Sequence, residues 1–316
     1  MRSGILVTGG AGFIGSEFVR QLCAENEFKK IYVLDKLTYA GNLLRIQKEI
    51  TSNLVEFIHT DVSDVESYVK ALQGVDYAVH FAAESHVDNS IKNGIPFLES
   101  NIMGTYRLLE ACRANQVGRT LVVSTDEVYG SIERGETDES VNLKPSSAYS
   151  ASKAAADLFA LAQHKTFQQD VVITRGCNTY GPFQHEEKFI PRAIGNLLAG
   201  KPVPLYGTGE NVREWMHVSD HAKGIKQVLL QGRPGEIYNL GSGTRKTNKQ
   251  IIDLLLGSLN FTWDKVDYVT DRLGHDYRYA LNSTKVRREI GWKATVDFDA
   301  GFLNTLDWYR KEGLLA

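Results

Sequence analysis

At 316 residues, 42% hydrophobic and 23% charged, with a net charge of −2, the chain has the make-up of an ordinary globular protein, large enough for one big fold or two joined lobes. The near-neutral balance excludes the basic footprint of a nucleic-acid binder, and no apolar stretch approaches membrane-spanning length, so neither nucleic acid nor membrane is expected as a partner. Cys23, Cys112 and Cys177 lie far apart without C-x-x-C spacing, and an apolar run at Gly4 to Val7 leaves no room for a signal peptide; both predict a reducing, cytoplasmic setting, with no metal site.

Short β-rich runs alternate with helical stretches through the first half. Strands are predicted at Ile5–Thr8, Ile31–Leu34, Val55–His59, Tyr77–Phe81, Thr120–Ser124 and Val171–Thr174. Helices are predicted over Phe13–Asn26, Ser63–Leu72, Pro96–Asn115 and Ala148–Gln168. This rhythm is that of βαβ units, and the fold class is α/β: a doubly wound parallel sheet with a smaller, discontinuous substrate lobe. After Arg175 the texture turns to Gly, Pro and Asn, and an apolar run at Glu236–Leu240 can return a strand to the main sheet. The division is therefore 1–175, rejoined by about 214–240, against 176–213 and 241–316.

The first strand runs into Thr8-Gly9-Gly10-Ala11-Gly12-Phe13-Ile14-Gly15, which satisfies G-x-G-x-x-G through Gly10, Gly12 and Gly15. Asp35 closes the second strand about 20 residues further on, where a ribose-binding carboxylate belongs. The glycines let backbone approach a pyrophosphate at a helix N-terminus. Asp35 would repel a 2′-phosphate and so favours NAD over NADP, whereas Lys36 beside it could pair with that phosphate.

Further on, Ser124-Thr125-Asp126-Glu127 ends an apolar run, followed by Tyr149-x-x-x-Lys153 with its two ionisable groups one helical turn apart. A hydroxyl able to lose a proton, a lysine and two carboxylates suit a reaction with several proton transfers. Adjacent carboxylates in a closed pocket repel, so one stays protonated while the other ionises, supplying acid and base together.

With the glycine fingerprint, Tyr149-x-x-x-Lys153 resembles the extended short-chain dehydrogenase/reductase family of nucleotide-sugar enzymes. The strings Asp35-Lys36-Leu37-Thr38-Tyr39-Ala40-Gly41-Asn42, Ala82-Ala83-Glu84-Ser85-His86-Val87-Asp88, Ser124 to Gly130 and Asp271-Arg272-Leu273-Gly274-His275-Asp276 are similar to the dTDP-glucose 4,6-dehydratases among them. The resemblance implies a 4-keto-6-deoxy sugar product, reached by C4 oxidation, loss of water across C5 and C6, and hydride return to C6 with a proton delivered to C5 and NAD regenerated. In that scheme Tyr149 deprotonates the sugar 4-hydroxyl, Glu127 removes the C5 proton and Asp126 protonates the departing C6 hydroxyl. Lys153 binds the nicotinamide ribose and keeps Tyr149 acidic, and Thr125 holds the sugar near O4.

The same resemblance implies cofactor contacts at Gly9, Gly12, Phe13, Ile14, Gly15, Asp35, Lys36, Leu37, Thr38, Asp61, Val62, Phe81, Ala82, Ala83, Ser85, Ser100, Tyr149, Lys153 and Thr179. For a nucleoside-diphosphate sugar it implies Ser85, Thr125, Asn178, Lys188, Phe189, Pro204, Leu205, Tyr206, Arg213, Asn248, Asp271, Arg272 and His275. Arginine's planar fork suits phosphate oxygens, which makes Arg213 and Arg272 sensible anchors. Departures from the family pattern are Thr179 in place of a second asparagine, Asn89, His185-Glu186, Met216-His217, Leu273 and Tyr277, all outside Ser124 to Lys153.

The resemblance also implies a homodimer paired through Pro96–Asn115 and Ala148–Gln168, where Ala151, Ala154, Ala155 and Ala156 permit close packing. Rival readings are a UDP-sugar 4,6-dehydratase, a C4 epimerase or a decarboxylase on the same scaffold, and, in a different class, a non-enzymatic NAD-binding sensor. An epimerase has no need of the Asp126–Glu127 pair, and a sensor would be expected to lack Tyr149 or Lys153.

Overall fold

The apolar runs of the first half are buried on both faces, as strands of a parallel sheet must be; in the computed structural model, which describes Arg2 to Glu312, Ile5, Leu6 and Val7 have no exposed surface. The main sheet has seven strands: β1 (Arg2–Thr8), β2 (Phe28–Asp35), β3 (Val55–His59), β4 (Tyr77–His80), β5 (Arg119–Thr125), β6 (Val171–Gly176) and β10 (Ile237–Leu240). Their order is β10-β6-β5-β4-β1-β2-β3, and every pairing is parallel. The order reverses between β1 and β4, so the carboxyl ends of those strands open a crevice, the usual ligand position in such sheets.

The remaining strands build the smaller lobe. β7 (Asn178–Tyr180), β9 (Val212–His217) and β11 (Arg245–Thr247) form one small sheet, and β8 (Val203–Tyr206) pairs in parallel with β12 (Val266–Val269). Helices Phe189–Leu198, Asn248–Leu259 and Phe298–Glu312 enclose a core of their own around Leu197, Leu205, Trp215, Ile251 and Phe302.

Helix boundaries follow local chemistry. The helix Ala148–Phe167 starts at a reciprocal Ser147–Ser150 capping box and stops where Gln168 turns left-handed, φ 57°. Two expected helices differ. Over Ser63–Leu72 there is only a 3₁₀ turn, Val65–Ser67, and a short helix, Val69–Leu72, because the Asp61 carboxylate captures the Ser63 N–H and Asp64 holds Ser67. Short acidic side chains compete in this way with helical bonding. Over Pro96–Asn115 the chain forms a turn at Ile95–Phe97, a π-helical segment at Leu98–Gly104 and an α-helix at Thr105–Ala114.

Candidate active site

The glycine turn after β1 is a cradle in which side chains have no room. A Cβ on Gly9, whose φ is +70°, would lie 2.5 Å from the Ala82 nitrogen, and one on Gly15 would lie 2.3 Å from the Gly9 carbonyl. Asp35 ends β2 with its carboxylate accepting from Ala11 N (3.0 Å) and Leu37 N (2.9 Å). Burial raises its pKa against those two bonds. Gly41 clears the same carboxylate, since a Cβ there would meet Asp35 Oδ1 at 2.9 Å. Lys36 is paired with Asp61 at 2.8 Å, so its charge is already engaged. A backbone cradle beside a fixed carboxylate, with the adjacent lysine already paired, fits a dinucleotide without a 2′-phosphate.

The expected cofactor residues line this one cavity, with one exception. Leu37 is not among the lining residues; its positive φ of 52° brings its N–H onto Asp35. Thr179 lines the cavity, with its hydroxyl already bonded to His221 Nδ1 (2.7 Å) and the Cys177 carbonyl (3.3 Å).

At the end of β5 the chain folds into a 3₁₀ turn, Asp126–Tyr129, that brings both carboxylates to the crevice. Thr125 Oγ1 donates to Asp126 Oδ1 (3.2 Å) and accepts from Glu127 N (3.3 Å). Tyr149 and Lys153 are buried on the facing side of their helix. Asp126 is 3% exposed and its Oδ2 has no partner. Burial and the charges of Glu127 and Glu214 push its pKa well above the ordinary carboxylate value. Burial also raises Glu127, but Arg272, Arg213 and Lys188 all oppose that rise. Both carboxyls are raised, Asp126 well above its ordinary value and Glu127 against three opposing cations, so Asp126 is the better placed of the two to hold a proton and Glu127 to give one up.

Lys153 Nζ donates to the Val123 carbonyl at 2.7 Å, and burial lowers its pKa to about 8. Against the expectation that Lys153 keeps Tyr149 acidic, burial and the Glu127 charge push the phenol up, and the Thr125 hydroxyl is what lowers it. Behind Lys153, Asp157 and Arg175 form a buried pair at 2.9 Å, with the guanidinium 4.7 Å from the Tyr129 ring centroid.

A second cavity adjoins the first through Ser85, Glu127, Asn178, Glu187 and Lys188. Phe189, Pro204, Leu205, Tyr206, Arg213, Asn248, Arg272 and His275 line it as expected. Lys188 Nζ is tied to the Ser85 carbonyl (2.8 Å), and Tyr206 donates to Asp88 Oδ2 (3.0 Å). Asp271 does not line the cavity; its carboxylate accepts from His275 at 2.6 Å and so orients that ring. The two arginines differ. Arg213 spends its guanidinium on the backbone carbonyls of Val212, Tyr277 and Asp276, whereas Arg272 Nε is unpartnered and Nη1 stands 3.6 Å from Asp88.

Sequence reading missed several lining residues. Arg192, His86 and Glu187 reach the second cavity, and Gln184, His185 and His221 the first. His86 beside Ser85, and His185 and Glu187 beside Lys188, were within reach of the sequence motifs, whereas Arg192, Gln184 and His221 arrive through packing of separate elements.

Comparison with known proteins agrees with this geometry. The family described as GDP-mannose 4,6 dehydratase matches residues 6–305. A dTDP-glucose 4,6-dehydratase of Streptomyces niveus is 47% identical over 310 residues, covering 97% of this chain and 92% of the relative, and one of Streptomyces antibioticus is 48% identical with the same coverage. Among solved structures, DesIV, a dTDP-glucose 4,6-dehydratase of Streptomyces venezuelae with NAD and TYD (dTDP) bound, superposes with a TM-score of 0.96 at 50% identity, covering 98% of this chain and 97% of that one. The UDP-glucose 4-epimerase of Thermus thermophilus in complex with NAD is further away, at 0.90 and 30%, covering 98% and 99%. Sequence identity over nearly the whole length and a shared fold make the chain a member of the dTDP-glucose 4,6-dehydratase family.

Proposed function

We propose that the chain catalyses the NAD-dependent 4,6-dehydration of dTDP-glucose to the 4-keto-6-deoxy sugar nucleotide. The observation that carries this reading is the convergence of Asp126 and Glu127, adjacent in sequence, with Thr125, Tyr149 and Lys153 on one crevice beside the glycine cradle. The glycine cradle and Asp35 would hold NAD, which when bound supplies the hydride acceptor and donor for C4 and C6. Tyr149 takes the proton of the 4-hydroxyl, with Thr125 orienting that oxygen. Glu127, the more readily ionised carboxylate, removes the C5 proton once a 4-ketone has made it acidic. Asp126, held protonated, delivers its proton to the departing C6 hydroxyl, so that water leaves. Lys153, one helical turn from Tyr149 and tied to the Val123 carbonyl, is placed to hold the nicotinamide ribose.

The lobe of 176–213 and 241–316 holds the sugar nucleotide, with Arg272 and Lys188 available to the diphosphate and Pro204 to Tyr206 to the base. A cytoplasmic setting suits the free thiols of Cys23, Cys112 and Cys177. We also propose a homodimer, on a different footing from the alanine argument: Ala154 and Ala156 are buried against the chain's own core, while Met103, Tyr106, Leu158 and Phe159 remain exposed on the same two helices, with Tyr106 and Phe159 rings 5.7 Å apart. Leu158→Glu is expected to halve the mass measured by light scattering; an unchanged mass rejects this face.

The test of function is incubation with dTDP-glucose, UDP-glucose and UDP-N-acetylglucosamine in separate reactions without added reductant. Loss of one water from dTDP-glucose alone is the expected result. A changed stereochemistry with no mass change would replace dehydration with epimerisation, and water loss from a UDP-sugar alone would reassign the base.

A further inference from the structure

His80 ends β4 beneath the cofactor crevice, 1% exposed, and takes no part in the chemistry above. Its ring joins two hydroxyls: Nδ1 is 2.7 Å from Thr8 Oγ1, and Nε2 is 2.9 Å from Thr105 Oγ1. The direction of this chain is determined by its ends. Thr105 donates its only hydroxyl proton to the Asn101 carbonyl at 2.6 Å, so it must accept from His80 Nε2–H. Nδ1 is then a lone pair receiving the Thr8 hydroxyl, whose oxygen in turn accepts from Ala82 N at 3.4 Å. One neutral tautomer satisfies every member. Burial and the charge of Lys153 hold the ring neutral, with a pKa lowered to about 3.

The consequence lies in the π-helical segment. In an α-helix the Asn101 carbonyl would accept from the Thr105 N–H. Here that N–H goes to Ile102, three residues back, where the π-helical segment ends, and the Thr105 hydroxyl occupies the Asn101 carbonyl instead. The Asn101 amide in turn bonds both the N–H (2.8 Å) and the carbonyl (3.0 Å) of Glu84, and Ser152 Oγ (2.8 Å), the neighbour of Lys153.

We propose that His80 is a positioning residue: by joining Thr8 to Thr105, and through Thr105 reaching Asn101, it locks the glycine loop and the Ala82–Glu84 segment to the helix carrying Tyr149 and Lys153. The idea rests on the proposed function for its kinetic half and on cofactor binding alone for the other. The test is Thr105→Val, which deletes the hydroxyl at nearly constant volume and leaves His80 Nε2–H unpaired, with Thr105→Ser as the conservative rescue. Thr105→Val should weaken NAD binding, by fluorescence titration, and lower kcat by about tenfold each, with the KM for dTDP-glucose within about twofold of wild type. Thr105→Ser should restore both.

A lowered melting temperature with wild-type NAD affinity and wild-type kcat would overturn the proposal, leaving His80 a packing residue. Should Thr105→Val fail to fold, Thr8→Val cuts the same chain at its other end and must show the same two losses. If the wild type does not dehydrate dTDP-glucose, the functional reading falls, while the NAD titration still decides the role of His80.

Discussion

The carboxyl end of the main sheet and the smaller lobe solve different problems with different materials. At the sheet's carboxyl end, Thr125, Asp126 and Glu127 follow one another out of β5, and Tyr149 and Lys153 share one face of a long capped helix. Regular elements set these positions, and Asp126, Tyr149 and Lys153 are buried where desolvation shifts their ionisation. The second cavity draws its cations from separate elements, Lys188 and Arg272 from loops, Arg192 from a helix and Arg213 from β9, and most of them are already paired with Glu187, Asp88 or backbone. Proton transfer needs fixed geometry and altered pKa values, whereas recognition needs several moderate contacts that a ligand can exchange for existing pairs.

The largest effect that would break this contrast is at Tyr149. Tyr149→Phe should lower kcat by about a thousandfold with KM for the sugar nucleotide little changed; a loss below tenfold would move the base elsewhere. The two carboxylates sharpen the contrast further. Glu127→Gln and Asp126→Asn should each slow water loss by about a hundredfold or more. They should part company in D₂O: recovered sugar nucleotide gains deuterium at C5 with Asp126→Asn, whose base is intact, but gains none with Glu127→Gln. The opposite pattern would reverse the acid and base assignments.

In the lobe the expected effects are smaller and of another kind. Arg272→Ala should raise KM about tenfold or more at nearly constant kcat, as removal of a charge-assisted phosphate contact does. Arg213→Ala should instead lower Tm, since the carbonyls of Val212, Tyr277 and Asp276 lose their guanidinium donor. If Arg213→Ala left Tm unchanged and raised KM like Arg272→Ala, the two arginines would be equivalent anchors, and the distinction drawn between them would fail.

The same contrast explains what was legible in the sequence. The glycine turn, Asp35, the Asp126–Glu127 pair and Tyr149-x-x-x-Lys153 are local patterns whose spacing within one strand end or one helical turn carries their geometry. All seven strands of the main sheet, including the returning one, sit within a few residues of their apolar runs, because β-branched segments buried on both faces have few alternatives. The Ser63–Leu72 helix failed where aspartates compete with the backbone, and the π-helical segment at Leu98–Gly104 carries no apolar spacing that separates it from the α-helix that follows. His221 at Thr179, and Asp88 at Tyr206, are meetings of segments distant in sequence, which spacing does not encode.

The smallest effect concerns stability, and it isolates the cost of keeping Asp126 an acid. Its carboxyl retains a proton in the folded protein to a higher pH than in the unfolded chain, where the value is 3.8. Between 3.8 and the raised folded value the native state therefore binds more protons, and stability falls as pH rises through that window. Below it the group exacts no penalty; above it the penalty is constant. Asparagine does not titrate, so Asp126→Asn should be little different from wild type near pH 4 and progressively more stable toward neutrality, each kcal/mol raising Tm by about 2 °C in a chain this large. Differential scanning calorimetry of both proteins across that range decides the matter. A Tm difference that stays flat with pH would mean that Asp126 is ionised in the folded enzyme, and the acid for the C6 hydroxyl would have to be sought in another group of the crevice.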